Sequence, residues 1–307
     1  MTSAQLARDR AWETSPLVPD WVRGRDIGLD QHNTLPSIAE QCWNSLREYL
    51  IKDGARLGRY KIIEPGAGSG SFYNLLPKHQ RIGVDLEQFN PEYIKHDFLT
   101  WKPNFGNKPC IAIGNPPFGY RGWLALSFLN HAAEFSDYVG FIVPMSFQSD
   151  GKGSPKHRVE GMVLVHSEPL PDQIFISASG EETTRINTLW QIWEKGEGKG
   201  KPDLSASDEY IDLFTVDHRK ERLCGAEYMK NGDLFLQRTY FSNPPKLVKT
   251  FAEVKYGCGY AIVIKKEKRK ILSLLKSIDW NRYSNLAVHN ARHISMYHIR
   301  QALLDNL

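Results

Sequence analysis

Apolar residues recur along this chain in two rhythms. Ile38, Cys42, Leu46, Tyr49 and Leu50 fall at helical spacing, which predicts a helix over 37–51 capped by Thr34 or Ser37 on either side of Pro36. After it the apolar residues gather into short strand-like runs: 60–63, 81–86, a very short one at 93–95, 110–113, 138–144 and 162–166. Helix-compatible stretches lie between some of them, notably 123–135. The 60–63 run ends in a Gly-rich turn, the way a buried parallel strand gives way to a helix. Strands alternating with helices imply an α/β fold with a largely parallel sheet covered on both faces. A last apolar segment at 188–193 adds an antiparallel strand.

The pattern then breaks into EKGEGKGKPDLSASD, rich in Gly, Lys and Ser and without apolar period, so a boundary is expected near Gly196. This divides the chain into an N-terminal arm (1–25), a main domain (26–195) and a smaller C-terminal domain (196–307). In the last of these, 257–264 reads as a strand and 267–278 as a basic amphipathic helix. Charge sharpens the division. The C-terminal part holds 19 Lys and Arg against 13 Asp and Glu, whereas the rest holds 20 against 22. A basic module beside a near-neutral one fits phosphate contact, although many solvated surfaces are equally basic.

A content of 41% hydrophobic and 24% charged residues is that of a soluble globular protein. The longest apolar stretches, such as 138–145, are too short to span a bilayer, and MTSAQLARDR has no apolar segment behind its charges, so a cytoplasmic protein is expected. Cys42, Cys110, Cys224 and Cys258 are scattered, with no CxxC pair and no His at zinc spacing; reduced thiols and no metal are expected.

The chemistry begins at IIEPGAGSGSF, 62–72, where Gly66, Gly68 and Gly70 occupy the turn after the first predicted strand. Glycine suits a place where the backbone bends tightly and a ligand meets main-chain N–H groups directly. The spacing is GxGxG, not the GxGxxG of dinucleotide sites. Glu64 would be misplaced beside a pyrophosphate but can accept a hydrogen bond from the ammonium of an amino-acid ligand. In GVDLE, Asp85 ends the next strand, where a carboxylate can accept both hydroxyls of a ribose. In HDFLTW, Asp97 can accept from an adenine amino group and Phe98 can lie against the ring. Each has an ordinary reading as a turn or a solvated acid, but three such sites at successive strand ends favour one nucleoside ligand.

The sharpest signal is IGNPPFG, 113–119, at the end of the fourth predicted strand. Two prolines stiffen the turn and remove two N–H donors, leaving carbonyls outward as acceptors. The side-chain carbonyl of Asn115 and the main-chain carbonyl of Pro116 can then receive the two hydrogens of an exocyclic amine. Its lone pair is thereby drawn out of conjugation and aimed at a sulfonium methyl, so catalysis is positioning and electrostatics. Phe118 supplies a flat face for the base. The later Asn243-Pro244-Pro245 follows no apolar strand and reads as a plain turn.

Through these motifs, over 29–195, the chain resembles the amino-methyltransferases of the class I, Rossmann-like fold, and most of all the gamma-ordered DNA adenine-N6 methyltransferases. LDQHNTLPSIAEQC resembles the family's N-terminal motif bordering the methionine part of the cofactor; Thr34 carries over, while His32 and Asn33 stand where aromatics are common. EPGAGSG resembles the cofactor loop, GVDLE the ribose acid, HDFL the adenine contact, GNPPFG the catalytic NPPF/Y, YVGFIVPMSF the fifth strand and INTLWQIWEK the antiparallel final strand. The resemblance implies a mostly parallel seven-stranded sheet with an antiparallel last strand, S-adenosylmethionine as cofactor, no metal, and methylation of adenine N6 in DNA after base flipping. Asn115, Pro116, Pro117 and Phe118 are then catalytic, and Thr34, Glu64, Gly66, Gly68, Gly70, Asp85, Asp97 and Phe98 bind the cofactor. Such enzymes sandwich the flipped base with a second aromatic, for which Phe175 is the candidate; a core Phe is the other reading.

RNA adenine-N6 and protein-glutamine methyltransferases share the NPP-aromatic chemistry. The C-terminal part, where HRKER and KKEKRK (265–270) are interleaved with Tyr228, Phe235, Tyr240, Phe241 and Tyr256, favours nucleic acid, with DNA ahead of RNA. A nicotinamide oxidoreductase would need GxGxxG and would leave NPPF unexplained. A catalytically silent nucleic-acid-binding relative would have no physical need for the Asn115 and Pro116 acceptors.

Overall fold

Pro36 opens the first helix of the computed structural model: its fixed φ suits the first helical position and it has no N–H to leave unsatisfied. The structure describes residues 33–106, 108–119, 122–149, 154–176, 185–197, 203–219, 222–286 and 291–307. The expected arm at 1–25 and His32 lie outside them. Helix α1, Pro36–Lys52, buries Ala39, Cys42, Trp43, Leu46 and Leu50. Full burial of a leucine such as Leu46 or Leu50 contributes about 1.5–3 kcal/mol. The expected cap is corrected: Leu35 is the N-cap and makes no side-chain bond. Thr34 instead belongs to a two-residue strand β1, Asn33–Thr34, whose partner is β8, Phe175–Ile176.

The chain divides into two units, Met1–Phe147 with Pro155–Lys199, and Gln148–Ser154 with Gly200–Leu307. The first contains a seven-stranded sheet formed by β2 (Lys61–Pro65), β3 (Arg81–Asp85), β4 (Ile94–Lys95), β5 (Cys110–Gly114), β6 (Tyr138–Pro144), β7 (Met162–Pro169) and β9 (Thr188–Lys195). Their spatial order is β4-β3-β2-β5-β6-β9-β7. All neighbours pair in parallel except those of β9, which runs antiparallel between β6 and β7. This is the Rossmann-like class I methyltransferase fold. Strand order reverses between β2 and β5, and in open α/β sheets the carboxyl end of such a switch point is where ligands bind.

The Gly-rich turn leads to one 3-10 turn, Tyr73–Leu75, and not to the expected helix. Pro77 follows too closely: it lacks an N–H and biases Leu76 toward extended backbone. Helix α2, Trp123–Ala133, lies between β5 and β6 in sequence and buries residues on most of its surface.

The second unit has an antiparallel sheet of order β11-β10-β14-β12, from β10 (Ile211–Arg219), β11 (Arg222–Cys224), β12 (Leu234–Gln237) and β14 (Cys258–Ile264). A smaller sheet joins β13 (Thr239–Tyr240), β15 (Asn285–Leu286) and β16 (Arg292–His293). Its helices are α3 (Tyr228–Asn231), α4 (Lys268–Ser277) and α5 (Met296–Leu304). In α4, Ile271 and Leu275 face the core with Leu236, Tyr260 and Ile299.

Four lysines of the basic run around α4 are paired with carboxylates. Lys265 pairs with Asp212, Lys266 with Glu209, Lys268 with Asp233 and Lys270 with Glu267. Among the interleaved aromatics, Phe235 and Tyr240 are core residues and Tyr228 stacks on Phe214 with ring centroids 3.6 Å apart. The side chains of Arg219 and Arg222 lie outside the description. Asn243-Pro244-Pro245 follows β13 in irregular backbone. Cys42 and Cys110 are free thiols, and they and Cys258 are buried. No helix among the described residues is long and apolar enough to cross a membrane.

Candidate active site

Four adjacent parallel strands deliver the motif residues to one edge of the sheet. Gly66 follows β2, Asp85 ends β3, Asp97 comes two residues after β4, and Asn115 follows β5. Gly66, Gly68 and Gly70 have φ of +64°, +48° and +79°, the left-handed region that side-chain-bearing residues avoid. The loop is held from two sides. Gly68 N donates to Asp85 Oδ2 at 2.8 Å, and Glu87 N to Asp85 Oδ1 at 2.9 Å. Tyr73 N and Phe72 N donate to the two Glu64 oxygens at 2.6 and 3.3 Å. Glu64 is 3% exposed, so its carboxyl group shapes the loop from within.

Strand β1 runs beside this loop. Ser71 Oγ donates to Thr34 O at 2.7 Å, and a Cβ on Gly68 would stand 3.5 Å from Asn33 Oδ1. Thr34 Oγ1 is buried with no hydrogen-bond partner among the described residues. Positive-φ glycines and a buried, unsatisfied hydroxyl suit a polar ligand lying along the loop. Ser71 and Asn33 escaped the sequence reading as contacts; the hydroxyl one residue past Gly70 was the available signal for Ser71.

On the other side, Pro117 meets the loop: a Cβ on Gly66 would stand 3.7 Å from Pro117 Cδ. The NPPF segment is anchored through its backbone, with Phe118 O accepting from Leu124 N at 3.2 Å and Ala125 N at 3.3 Å in the first turn of α2. Gly119 and Gly122, at φ of +63° and +80°, permit the tight approach. Asn115, Pro117 and Phe118 are half-buried and Pro116 is buried. The Gly-rich loop and the NPPF segment therefore flank the switch point.

Asp97 is half-buried, and its Oδ1 accepts from Leu99 N at 3.0 Å. Burial raises its pKa, against the Leu99 amide and the neighbouring His96 and His131.

Phe98 and Phe175 both lie in the core. Phe98 is 2% exposed, its ring 5.1 Å from both Phe128 and His131, because the turn after Asp97 folds Phe98 and Trp101 into an aromatic cluster. Phe175 is 1% exposed within the main core, paired with Thr34 across β1 and β8; its ring lies 6.2 Å from that of Phe118, edge-on.

No protein-family model and no curated protein matches the sequence. Solved structures similar to it include a protein of Pyrococcus horikoshii described as a candidate RNA methyltransferase (21% identity, 55% of this chain and 89% of that one, TM-score 0.41). Another is magnesium protoporphyrin IX methyltransferase of Synechocystis PCC 6803, solved with SAM bound (13%, 64% and 98%, 0.37). The 23S rRNA methyltransferase ErmE is a third (12%, 54% and 70%, 0.35).

The acid beneath the loop yields a pH test. Burial pushes the Glu64 carboxyl up to about 8; the Tyr73 and Phe72 amides oppose this and the Asp85 charge adds to it. Between about pH 4.5 and 8 the folded protein holds a proton that the unfolded chain has released, so this group's contribution to stability falls as pH rises. In urea unfolding across that window, Glu64→Gln is expected to flatten the decline seen in the wild type. The difference between the ends of the window should be on the order of a few kcal/mol.

Proposed function

We propose that this chain transfers the methyl group of S-adenosylmethionine to the N6 of adenine in DNA. The observation that carries the reading is the placement of Asn115-Pro116-Pro117-Phe118 against the Gly66 turn at the switch point of the sheet. Gly66, Gly68 and Gly70 would hold the cofactor along the loop, with Thr34 beside it and with Asp85 and Asp97 at the two neighbouring strand ends. Glu64 acts from below by fixing the loop. The bound cofactor supplies an electrophilic methyl group.

The protein's part is to orient the amine. Asn115 accepts one N–H through its side-chain carbonyl and Pro116 the other through its main-chain carbonyl, which localises the nitrogen lone pair. Phe118 supports the extruded base on its exposed side. Residues 26–195 form the catalytic part in this reading, and 196–307 contribute target recognition.

Labelled-methyl transfer to duplex DNA, single-stranded DNA and RNA in parallel, followed by nucleoside analysis, tests it. The expected product is N6-methyldeoxyadenosine. Methylation confined to RNA would reassign the substrate, and methylation of cytosine alone would refute the adenine assignment.

A further inference from the structure

Most aromatic residues described in the second unit are buried or half-buried, and two depart from this near one end of its four-stranded sheet. Phe241 is 54% exposed and Tyr256 62% exposed, and their rings touch edge to face with centroids 6.5 Å apart. Phe241 lies in the bend just past β13, whereas Tyr240 before it is anchored inward, its hydroxyl bonded to Trp280 O, Asn281 Oδ1 and Ser284 Oγ.

Tyr256 is presented differently. Its φ is +61°, a conformation that side-chain-bearing residues avoid, and Gly257 follows at +57°. Holding a large ring in water on strained backbone gains nothing for the core, and such outliers concentrate where a ligand is bound.

Two cations stand close to the pair along the backbone. Arg238 N donates to Cys258 O, which brings the segment leading to Phe241 beside the one leaving Tyr256, and Lys255 precedes Tyr256 directly. Both cations are exposed, and neither makes an ion pair with an acid among the described residues, unlike the paired lysines around α4. Across 238–257 the sequence holds four Lys and Arg and a single acid, Glu253. That carboxylate is engaged by Thr250 N and Thr250 Oγ1.

We infer that the Phe241–Tyr256 pair, flanked by Arg238 and Lys255, is a stacking surface for unpaired bases of a nucleic acid. The choice of nucleic acid rests on the proposed substrate class; the choice of unpaired bases rests on the rings. A stacked duplex covers the faces of its own bases, and only an unpaired base offers a face to an aromatic side chain, with cations beside it for the phosphates.

The test uses the full chain and fluorescence anisotropy with labelled oligonucleotides of about 12 nucleotides, single-stranded and as the duplex of the same sequence. The wild type should bind the single strand more tightly. Phe241→Ala, and Tyr256→Gly, which suits the local backbone, should each weaken that binding about 5- to 150-fold and leave duplex binding nearly unchanged. Phe241→Trp should restore it. Calorimetry with S-adenosylmethionine on the same variants reports separately on the first unit, so a failed methyl-transfer assay and a failed stacking surface are distinguishable. Wild-type affinity in both ring-deleted variants, or equal binding of duplex and single strand by the wild type, would overturn the inference. So would ring-dependent self-association in sedimentation without ring-dependent oligonucleotide binding, which would make the surface a protein contact.

Discussion

Asn115→Ala is expected to lower single-turnover methyl transfer about 100- to 1000-fold, the usual consequence of deleting one polar group that stabilises a developing charge. Cofactor affinity should stay within a few-fold of wild type. The selectivity follows from the architecture: the Gly-rich loop is held by Asp85 and Glu64, and the NPPF segment is held by the Phe118 carbonyl on α2. Neither anchor uses the Asn115 side chain. Phe118→Ala should have a smaller effect, with stacking worth about 1–3 kcal/mol lost and part of it recovered by Trp. Because Phe118 also packs on the core near Phe175, its variants must be compared at matched fractions folded. Single-turnover rates and calorimetric cofactor affinities, measured together, decide the matter. Undiminished transfer by Asn115→Ala would remove this residue from the mechanism.

Gly68→Val is expected to abolish cofactor binding. Two effects combine at this position. The backbone has φ of +48°, where a β-branched side chain is strained, and the new Cβ would stand 3.5 Å from Asn33 Oδ1, with its methyl groups entering the gap between loop and β1. Any shift that relieves the strain moves Gly68 N away from Asp85. Gly54→Val is the control, since Gly54 has φ of +78° but open space around it. That variant should lose on the order of 1 kcal/mol of stability and still bind S-adenosylmethionine. Equal calorimetric affinities for wild type and Gly68→Val would mean that the cofactor does not lie along this loop.

The central strands β2, β5, β6 and β9 were legible because each is a short apolar run that the sheet buries on both faces; 138–144 corresponds residue for residue to β6, and the motifs after β2, β3, β4 and β5 fell at the same end of the sheet. Elsewhere local pattern was insufficient. FYNLL has the composition of a helix start, but Pro77 limits it to a single 3-10 turn. Phe98 and Phe175 each sit beside a motif residue and read as ligand contacts, whereas their burial depends on α2 and on the pairing of β1 with β8, which no local sequence window contains. In the second unit β10 and β12 were missed, because their mixed polar and apolar residues make sense only against β14. Phe241 and Tyr256 were visible as two of five aromatics in a basic region; their exposure separates them from Phe235 and Tyr240.

The paired lysines around α4 bear on how any nucleic-acid affinity would respond to ionic strength. A cation that neutralises a phosphate normally liberates small ions condensed on the polymer, and the logarithmic salt slope counts such events at about 0.9 per contact on duplex DNA. Lys265, Lys266, Lys268 and Lys270 already have carboxylates as their counter-ions. A phosphate recruiting one of them must first evict a tethered acid, whose negative charge stays behind to repel the incoming backbone. The electrostatic valence of this protein toward nucleic acid is therefore expected to be smaller than its lysine and arginine inventory, because these four lysines count for less than their number.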